Sequence, residues 1–379
     1  MKLSILQENL KNGLDITSRI AGKSLTLPIL NNVYLKVEKN FLQILTTDLE
    51  IGIRWWSLAK VEKEGEIVVP AQLLTNLISL LPNKIISLKV DNKILSVECD
   101  NHKMQIKGFD PQEFPIIPQV EEGEKISIDN NVFCQALSQV VDIAASNQSR
   151  PEISGIFFKL QKDCLKLVAT DSFRLGEKTV PLKEGTENLS PKQEISLIFP
   201  QKTAREIINI LKDKKGDTDI YFAPNHILFE AVMAETPHPQ TQIVSKLIDG
   251  EYPAYQDIIP QKYETQIICQ RNDLLNQIKT ASLFSGKTNE IKITVNPKKN
   301  EIDFLSRDPD LGEYRASLTG KAKGENIEIS FNYKFLIDGL LNIKSSEVFL
   351  ELNGGEGPAV LRPVGDPNYI YLVMPIKAN

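Results

Sequence analysis

Three stretches of the sequence echo one another at a domain-sized spacing. Pro28-Ile-Leu-Asn-Asn-Val-Tyr-Leu-Lys-Val37 is followed by Leu42-Gln-Ile-Leu-Thr-Thr-Asp48, and Pro151-Glu-Ile-Ser-Gly-Ile-Phe-Phe-Lys-Leu160 by Leu165-Lys-Leu-Val-Ala-Thr-Asp171. Proline and aspartate stand 20 residues apart in both copies. A weaker third copy, Ile291 to Val295 and then Ile302 to Asp308, keeps the same step from first apolar residue to aspartate. The aspartates are 123 and then 137 residues apart, so each copy is a whole domain rather than a solenoid turn. A chain of 379 residues has room for this arrangement.

Each copy opens with one amphipathic helix and carries a second further on. Leu10, Leu14 and Ile20 with Ala21 mark the first opening helix, Phe133, Leu137, Val140, Val141 and Ala144 the second, and Leu274, Leu275, Ile278 and Ala281 the third. The inner helices follow Pro70 (Leu73, Leu74, Leu77, Ile78 and Leu81), Pro200 (Ala204, Ile207, Ile208 and Leu211) and Asn332 (Leu336, Ile337, Leu340 and Leu341). Proline suits a first helical turn, where its missing N–H costs nothing. Between helices run short apolar or alternating segments broken by turn residues, such as Ile86–Val90 and Ile94–Glu98 around Asp91-Asn92-Lys93, which read as antiparallel hairpins. The pattern predicts an α+β protein of three domains, 1–123, 124–262 and 263–379, each with two helices and about eight strands.

Charge and cysteine usage narrow the function. The net charge is −5, and the three thirds carry 14 basic against 15 acidic residues, 16 against 19 and 14 against 15. No third is basic overall, so any contact with nucleic acid comes from a local face. Cys99, Cys134, Cys164 and Cys269 form no CxxC, which argues for reduced thiols and against a zinc site or a secreted disulfide framework. No apolar run approaches a membrane span and the N-terminus lacks a signal-like apolar stretch, so the expected location is cytoplasmic, with no membrane partner.

Residues for catalysis are sparse. His102, His226 and His238 are isolated, and Gly22-Lys23-Ser24 lacks the upstream glycine of a phosphate loop because Thr17 stands there. Asp48, Asp171 and Asp308 raise the possibility of repeated carboxylate chemistry, but each follows a strand, where aspartate accepts turn N–H bonds. No metal, cofactor or catalytic residue is expected. Lys202, Arg205, Asn209 and Lys212 form one helical stripe opposite the apolar one. Such a stripe is either a phosphate-tracking face or, with Glu206 and Asp213 beside it, an ordinary solvated surface. Lys23, Arg150 and Lys334 are further candidate DNA-facing cations.

Taken in order, the three copies, Leu25-Thr-Leu-Pro-Ile-Leu30, Thr46-Thr-Asp-Leu-Glu50, Ala169-Thr-Asp-Ser-Phe-Arg-Leu175 and Val373-Met-Pro-Ile376 resemble the bacterial DNA polymerase III beta subunits, the replicative sliding clamps. The resemblance covers the whole chain. It implies three tandem clamp domains and a head-to-tail homodimeric ring around double-stranded DNA, with no chemistry of its own. Implied partners are the polymerase III catalytic subunit, the clamp loader and repair proteins carrying clamp-binding peptides. Their pocket is expected at Ile153, Thr170, Ser172, Phe173, Arg174, Leu175, Pro253, Ile258, Asn332, Phe335, Leu372, Val373, Met374, Pro375 and Ile376. The implied dimer contact sets Met104 and Ile106 against Leu283 and Phe284. The chain departs from the family pattern at Ser172-Phe173, where Gly-His is common, at Asp257, where a basic residue is frequent, and in running on to Lys377-Ala-Asn379. Ser172 is expected to disturb its turn, and Phe173 to enlarge the pocket floor. Two competing readings are a metal-dependent hydrolase using the repeated aspartates and an interaction scaffold that does not encircle DNA.

Overall fold

The computed structural model describes residues 1–22, 26–120, 125–146, 149–182 and 194–377. Lys23 and the terminal Ala378 and Asn379 lie outside them. Among the described residues there are six α-helices: α1 (Gln7–Thr17), α2 (Ala71–Leu80), α3 (Asn130–Val140), α4 (Gln201–Leu211), α5 (Arg271–Ser282) and α6 (Tyr333–Asn342). These are two per repeat, as the periodicity predicts. Each begins where a strand ends. Pro70 and Pro200 are the last strand residues before α2 and α4 rather than first-turn residues, and both pair in a ladder, with Asn32 and Gly155. At that place a missing N–H terminates the sheet as readily as it starts a helix.

The described strands form four antiparallel sheets. The first repeat contributes a five-stranded sheet in the order Lys60–Lys63, Lys2–Leu6, Ile85–Asp91, Ile94–Cys99 and His102–Lys107. The third contributes a four-stranded one in the order Gly312–Thr319, Glu301–Asp308, Glu290–Asn296 and Ile327–Asn332. The other two cross repeat boundaries. In the eight-stranded sheet, Pro239–Lys246 of the second repeat pairs with Ile51–Leu58 of the first; in the nine-stranded sheet, Tyr369–Val373 of the third pairs with Arg174–Pro181 of the second. The second repeat thus gives one sheet to each neighbour. The described residues accordingly pack as two units, one holding Met1–Val132 and Glu206–Leu247, the other Phe133–Leu182, the run through Ile195–Pro200 to Arg205, and Ile248 onward.

Helices and sheets meet through small residues and aliphatic stripes. A Cβ on Gly13 would lie 2.3 Å from the Trp55 ring, so glycine is what lets α1 approach the strand Ile51–Leu58. Leu10 and Leu14 of α1 are fully buried, as are Leu274, Ile278 and Ala281 of α5. The expected faces of the other helices need correction. On α2, Leu74 and Ile78 are buried but Leu73 is 53% and Leu80 85% exposed; on α4, Ile210 rather than Ile208 joins the core; on α6, Leu341 is 55% exposed. A helix with leucine on several faces leaves the choice of core face to the sheet beneath it. The hairpin at Asn92-Lys93 has φ of +46° and +61°, the left-handed pair of a tight two-residue turn.

Candidate functional site

The three aspartates make the same local structure. Asp48 Oδ1 accepts from the N–H groups of Glu50 and Ile51 (3.0 and 2.7 Å), Asp171 Oδ1 from Phe173 and Arg174 (both 3.0 Å), and Asp308 Oδ1 from Asp310 and Leu311 (2.9 and 3.0 Å). In the first two turns a threonine completes the device. Thr170 Oγ1 donates to the Arg174 carbonyl (2.7 Å) and accepts from the Ser172 N–H (3.2 Å), as Thr47 does for Ile51 and Leu49. The carboxylates are turn formers. Among the described residues no group of three or more His, Cys, Asp and Glu stands ready to hold a metal. Ser172 takes φ of +78°, matching Leu49 at +76° in the corresponding turn of the first repeat, so the serine adopts the left-handed conformation there. The turn hydrogen bonds to Thr170 and Asp171 offset the left-handed penalty of about 1–2 kcal/mol.

Beside the Asp171 turn lies an apolar-walled cavity of about 160 Å³. Ile153, Thr170, Ser172, Arg174 and Leu175 form its second-repeat side, Pro253, Ala254, Tyr255 and Ile258 its linker side, and Leu372 and Met374 the side of the last strand; Arg150 stands at its edge. Its base is a packed cluster that includes Ile153, Val168, Leu175, Tyr252, Tyr255, Val360 and Leu372. Arg174 is held from several directions. Its Nε donates to Asp171 Oδ2 (2.9 Å), Nη1 to Asp338 and Nη2 to the Asp142 carbonyl (3.1 Å), and its guanidinium lies 4.9 Å from the centre of the Phe335 ring. A half-buried guanidinium held by several partners then borders an apolar hole, the combination of apolar lining and few fixed polar groups that marks a candidate binding site.

Nine expected pocket residues line this cavity, and six do not. Phe173 points outward, 61% exposed, and stacks on Phe335 (6.3 Å between ring centres, 20° between planes), so it makes a shelf beside the pocket rather than its floor. Val373 is fully buried within its strand, paired with Arg174 and Ala359. Asn332 caps α6 by accepting from the Lys334 N–H (3.0 Å). Ile376 donates its N–H to the Ser330 carbonyl (2.8 Å) and lines a separate groove of about 450 Å³ with Glu290, Glu328 and Lys377; Pro375 lies half-buried between. Sequence reasoning missed Ala254 and Tyr255. The available signal was the parallel between Pro253-Ala-Tyr255 and Pro115-Ile-Ile117, each closing a repeat.

The candidate cations are dispersed. Lys202 and Arg205 are exposed on α4 and Lys212 just beyond it, but Arg205 is paired with Asp142 (2.7 Å). Lys334 is exposed on α6. Arg150 borders the pocket, paired with Glu152 (3.0 Å) and donating to Ser172 Oγ (3.2 Å). Of the expected dimer residues, Leu283 is 68% exposed, Met104 is half-buried and Phe284 stacks on Tyr314 (6.1 Å). Ile106 is only 5% exposed, a correction, because strand alternation turns it into the core of its own sheet.

Comparison with known proteins places this geometry. Residues 1–118, 127–254 and 256–377 match, in order, the N-terminal, central and C-terminal domains of the DNA polymerase III beta subunit. The beta sliding clamps of Synechocystis and Staphylococcus aureus are 27% and 26% identical to the chain, over 100% of it and 99% of theirs. The crystal structures of the sliding clamp of Bacillus subtilis and the beta subunit of Thermotoga maritima superpose with TM-scores of 0.93 and 0.90 at 24% identity, each covering both chains fully. Three tandem clamp domains with antiparallel sheets define a DNA sliding clamp, a processivity factor of DNA replication rather than an enzyme. The chain belongs to the DNA polymerase III beta subunit family. Its partners are, in general terms, those of the family: DNA, a DNA polymerase and other clamp-binding proteins, with self-association.

Proposed function

We propose that two copies of the chain, each of domains 1–123, 124–262 and 263–379, close head to tail around duplex DNA in the cytoplasm. The ring holds the polymerase III catalytic subunit on its template and offers the same docking site to the clamp loader and to repair proteins. The observation that carries this reading is the pair of half-sheets left at the ends of the chain. Each repeat boundary inside the chain is sealed by strand pairing in one register. Ile243, opposite Phe229 in its own hairpin, lies opposite Ile53 of the neighbouring repeat; Tyr371, opposite Leu361, lies opposite Gly176. The corresponding positions of the two free edges are Met104, opposite Val97, and Tyr314, opposite Ser306. Pairing His102–Lys107 with Gly312–Thr319 of a second copy, Met104 opposite Tyr314, joins five strands to four and makes a third boundary like the other two. Two such contacts close a two-fold ring.

The 160 Å³ cavity supports a peptide site: it takes one aliphatic anchor, and the Phe173–Phe335 shelf takes a flat side chain next to it. Tethering through such a site makes polymerase rebinding intramolecular, so a modest affinity suffices. The cations on α4 contact phosphates and read no sequence. The test is retention: loaded onto a nicked circular plasmid, the protein stays bound in high salt and leaves when the plasmid is linearised. Equal loss from circular and linear DNA overturns encirclement and favours a scaffold.

A further inference from the structure

The repeat that builds the peptide pocket has a counterpart at the first boundary, and comparing the two exposes a residue with a role of its own. Six positions after the turn aspartates stand Arg54 and Glu177, buried to 8% and 7% exposure, and both hold the segment that leads into the next repeat. Arg54 Nη2 donates to the carbonyls of Ile117 (2.6 Å) and Pro118 (3.0 Å), gripping the main chain. There Ile117 lies over Gly52, with its Cγ2 2.5 Å from where a Cβ would stand. At the second boundary the position of Gly52 is taken by Leu175, a pocket residue, and Tyr255 occupies the place of Ile117. Here the hold is on a side chain: Tyr255 Oη donates to Glu177 Oε2 at 2.6 Å, and Lys166 Nζ donates to Glu177 Oε1 at 3.3 Å.

This wall packs through Tyr252 and Tyr255 into the buried cluster beneath the pocket. Pro253, Ala254, Tyr255 and Ile258 face the pocket, while Gln256, Ile259, Pro260, Gln261 and Tyr263 face a wider cavity of about 590 Å³ on the other side, into which Lys166 and Arg362 project. The segment is a partition between two hollows. It is pinned by stacking of Tyr252 on Phe157 (4.6 Å between ring centres) and by the Tyr255–Glu177 bond. Burial, and then the acceptor Glu177, push the Tyr255 hydroxyl up from its ordinary pKa, so it remains a donor throughout the working range. We infer that Glu177, acting through Tyr255, is a positioning residue that sets the width of the peptide pocket by holding its linker wall against the sheet. This rests on the cavity being the peptide site.

The experiment is fluorescence anisotropy with a labelled peptide carrying a leucine next to a phenylalanine, on the intact dimer. Tyr255→Phe and Glu177→Leu each weaken binding about fivefold, the double variant no more than either single, because both remove one shared contact. Glu177→Gln, whose amide oxygen still accepts, binds within about twofold of the parent. Met374→Asp, placed in the pocket itself, is the control. Loss of binding in Met374→Asp with parental affinity in Tyr255→Phe and Glu177→Leu overturns the positioning role and leaves the pocket standing. Parental affinity in Met374→Asp overturns the pocket reading and this inference with it. Additive losses in the double variant, or failure of Glu177→Gln to rescue, mean that the two residues act separately and also overturn it.

Discussion

Ser172 and Phe173 depart from the family pattern within a turn that keeps the hydrogen bonds of its Asp48 counterpart. The left-handed Ser172 is enforced by Asp171 and Thr170, which satisfy the turn N–H groups whatever residue follows. Phe173 is then carried outward onto Phe335, and its effect falls on whatever lies over the shelf. Phe173→His should shift preference between two labelled peptides that differ only in the size of the residue after the anchor, with little change in thermal midpoint. Equal affinity ratios for parent and variant assign the preference elsewhere. Lys214 carries a pH dependence. Burial lowers its pKa to about 8, and its Nζ donates to Thr241 Oγ1 (3.1 Å). A lysine whose folded pKa lies below its unfolded one opposes folding in full below pH 8 and opposes it less as pH rises toward the unfolded value of about 10.4. The parent should therefore gain stability between about pH 8 and 10 relative to Lys214→Met, measured by parallel thermal melts.

At the scale of elements, the edges of the sheets decide what meets what. Inside the chain the third hairpin strand of one repeat always pairs with the strand after the aspartate turn of the repeat before it. Among the described residues, the edges His102–Lys107 and Gly312–Thr319 are the two such strands without that neighbour in the same chain. Carrying the register forward puts Gln105 opposite Glu313, both exposed. Antiparallel partners have Cα atoms about 4.5–5.5 Å apart, within disulfide reach. A Gln105→Cys/Glu313→Cys variant should oxidise to a covalent dimer, seen on a non-reducing gel, while Lys103→Cys/Glu313→Cys should not. The reverse pattern would mean a different register. Leu283, exposed at the end of α5, lies in the same repeat as the second edge and fits a contact that flanks the strand pairing.

For the whole molecule, an acidic protein that works on DNA needs its cations gathered on one surface. The candidate group is Lys202 and Arg205 on α4 with Lys212 beyond it, though Arg205 shares its charge with Asp142. Replacing all three by alanine should weaken direct binding to duplex DNA and flatten its salt dependence by about two to three counterions, since each phosphate contact contributes about 0.9 to the slope. The dimer mass should not change. An unaltered slope in a salt titration would move the DNA face to other residues. Retention of a loaded ring on circular DNA depends on closure rather than on these charges, so the triple variant, once loaded, should persist in high salt as the parent does.

The repeat, the number of helices, the hairpins and the aspartate turns were legible in the sequence because they rest on contacts between near neighbours. A Thr-Asp turn, an Asn-Lys hairpin and the spacing of leucines on α5 carry their geometry within a few residues. The resemblance to the clamps, ordered along the chain, supplied nine of the residues that line the cavity, although they come from three distant segments. What could not be read were the relations between distant segments. Which leucines of α2 and α6 face inward depends on the sheet each helix covers; Ile106 turns into the core because its strand pairs with Ile94–Cys99; and Arg150 meets Ser172 only after two loops fold together. The linker wall shows the limit most clearly. Arg54 and Glu177 occupy equivalent positions, but one grips a backbone and closes a gap while the other grips a tyrosine beside an open pocket. That difference arises from what stands opposite, Gly52 with Ile117 or Leu175 with Tyr255, and packing between segments far apart in the chain decides it.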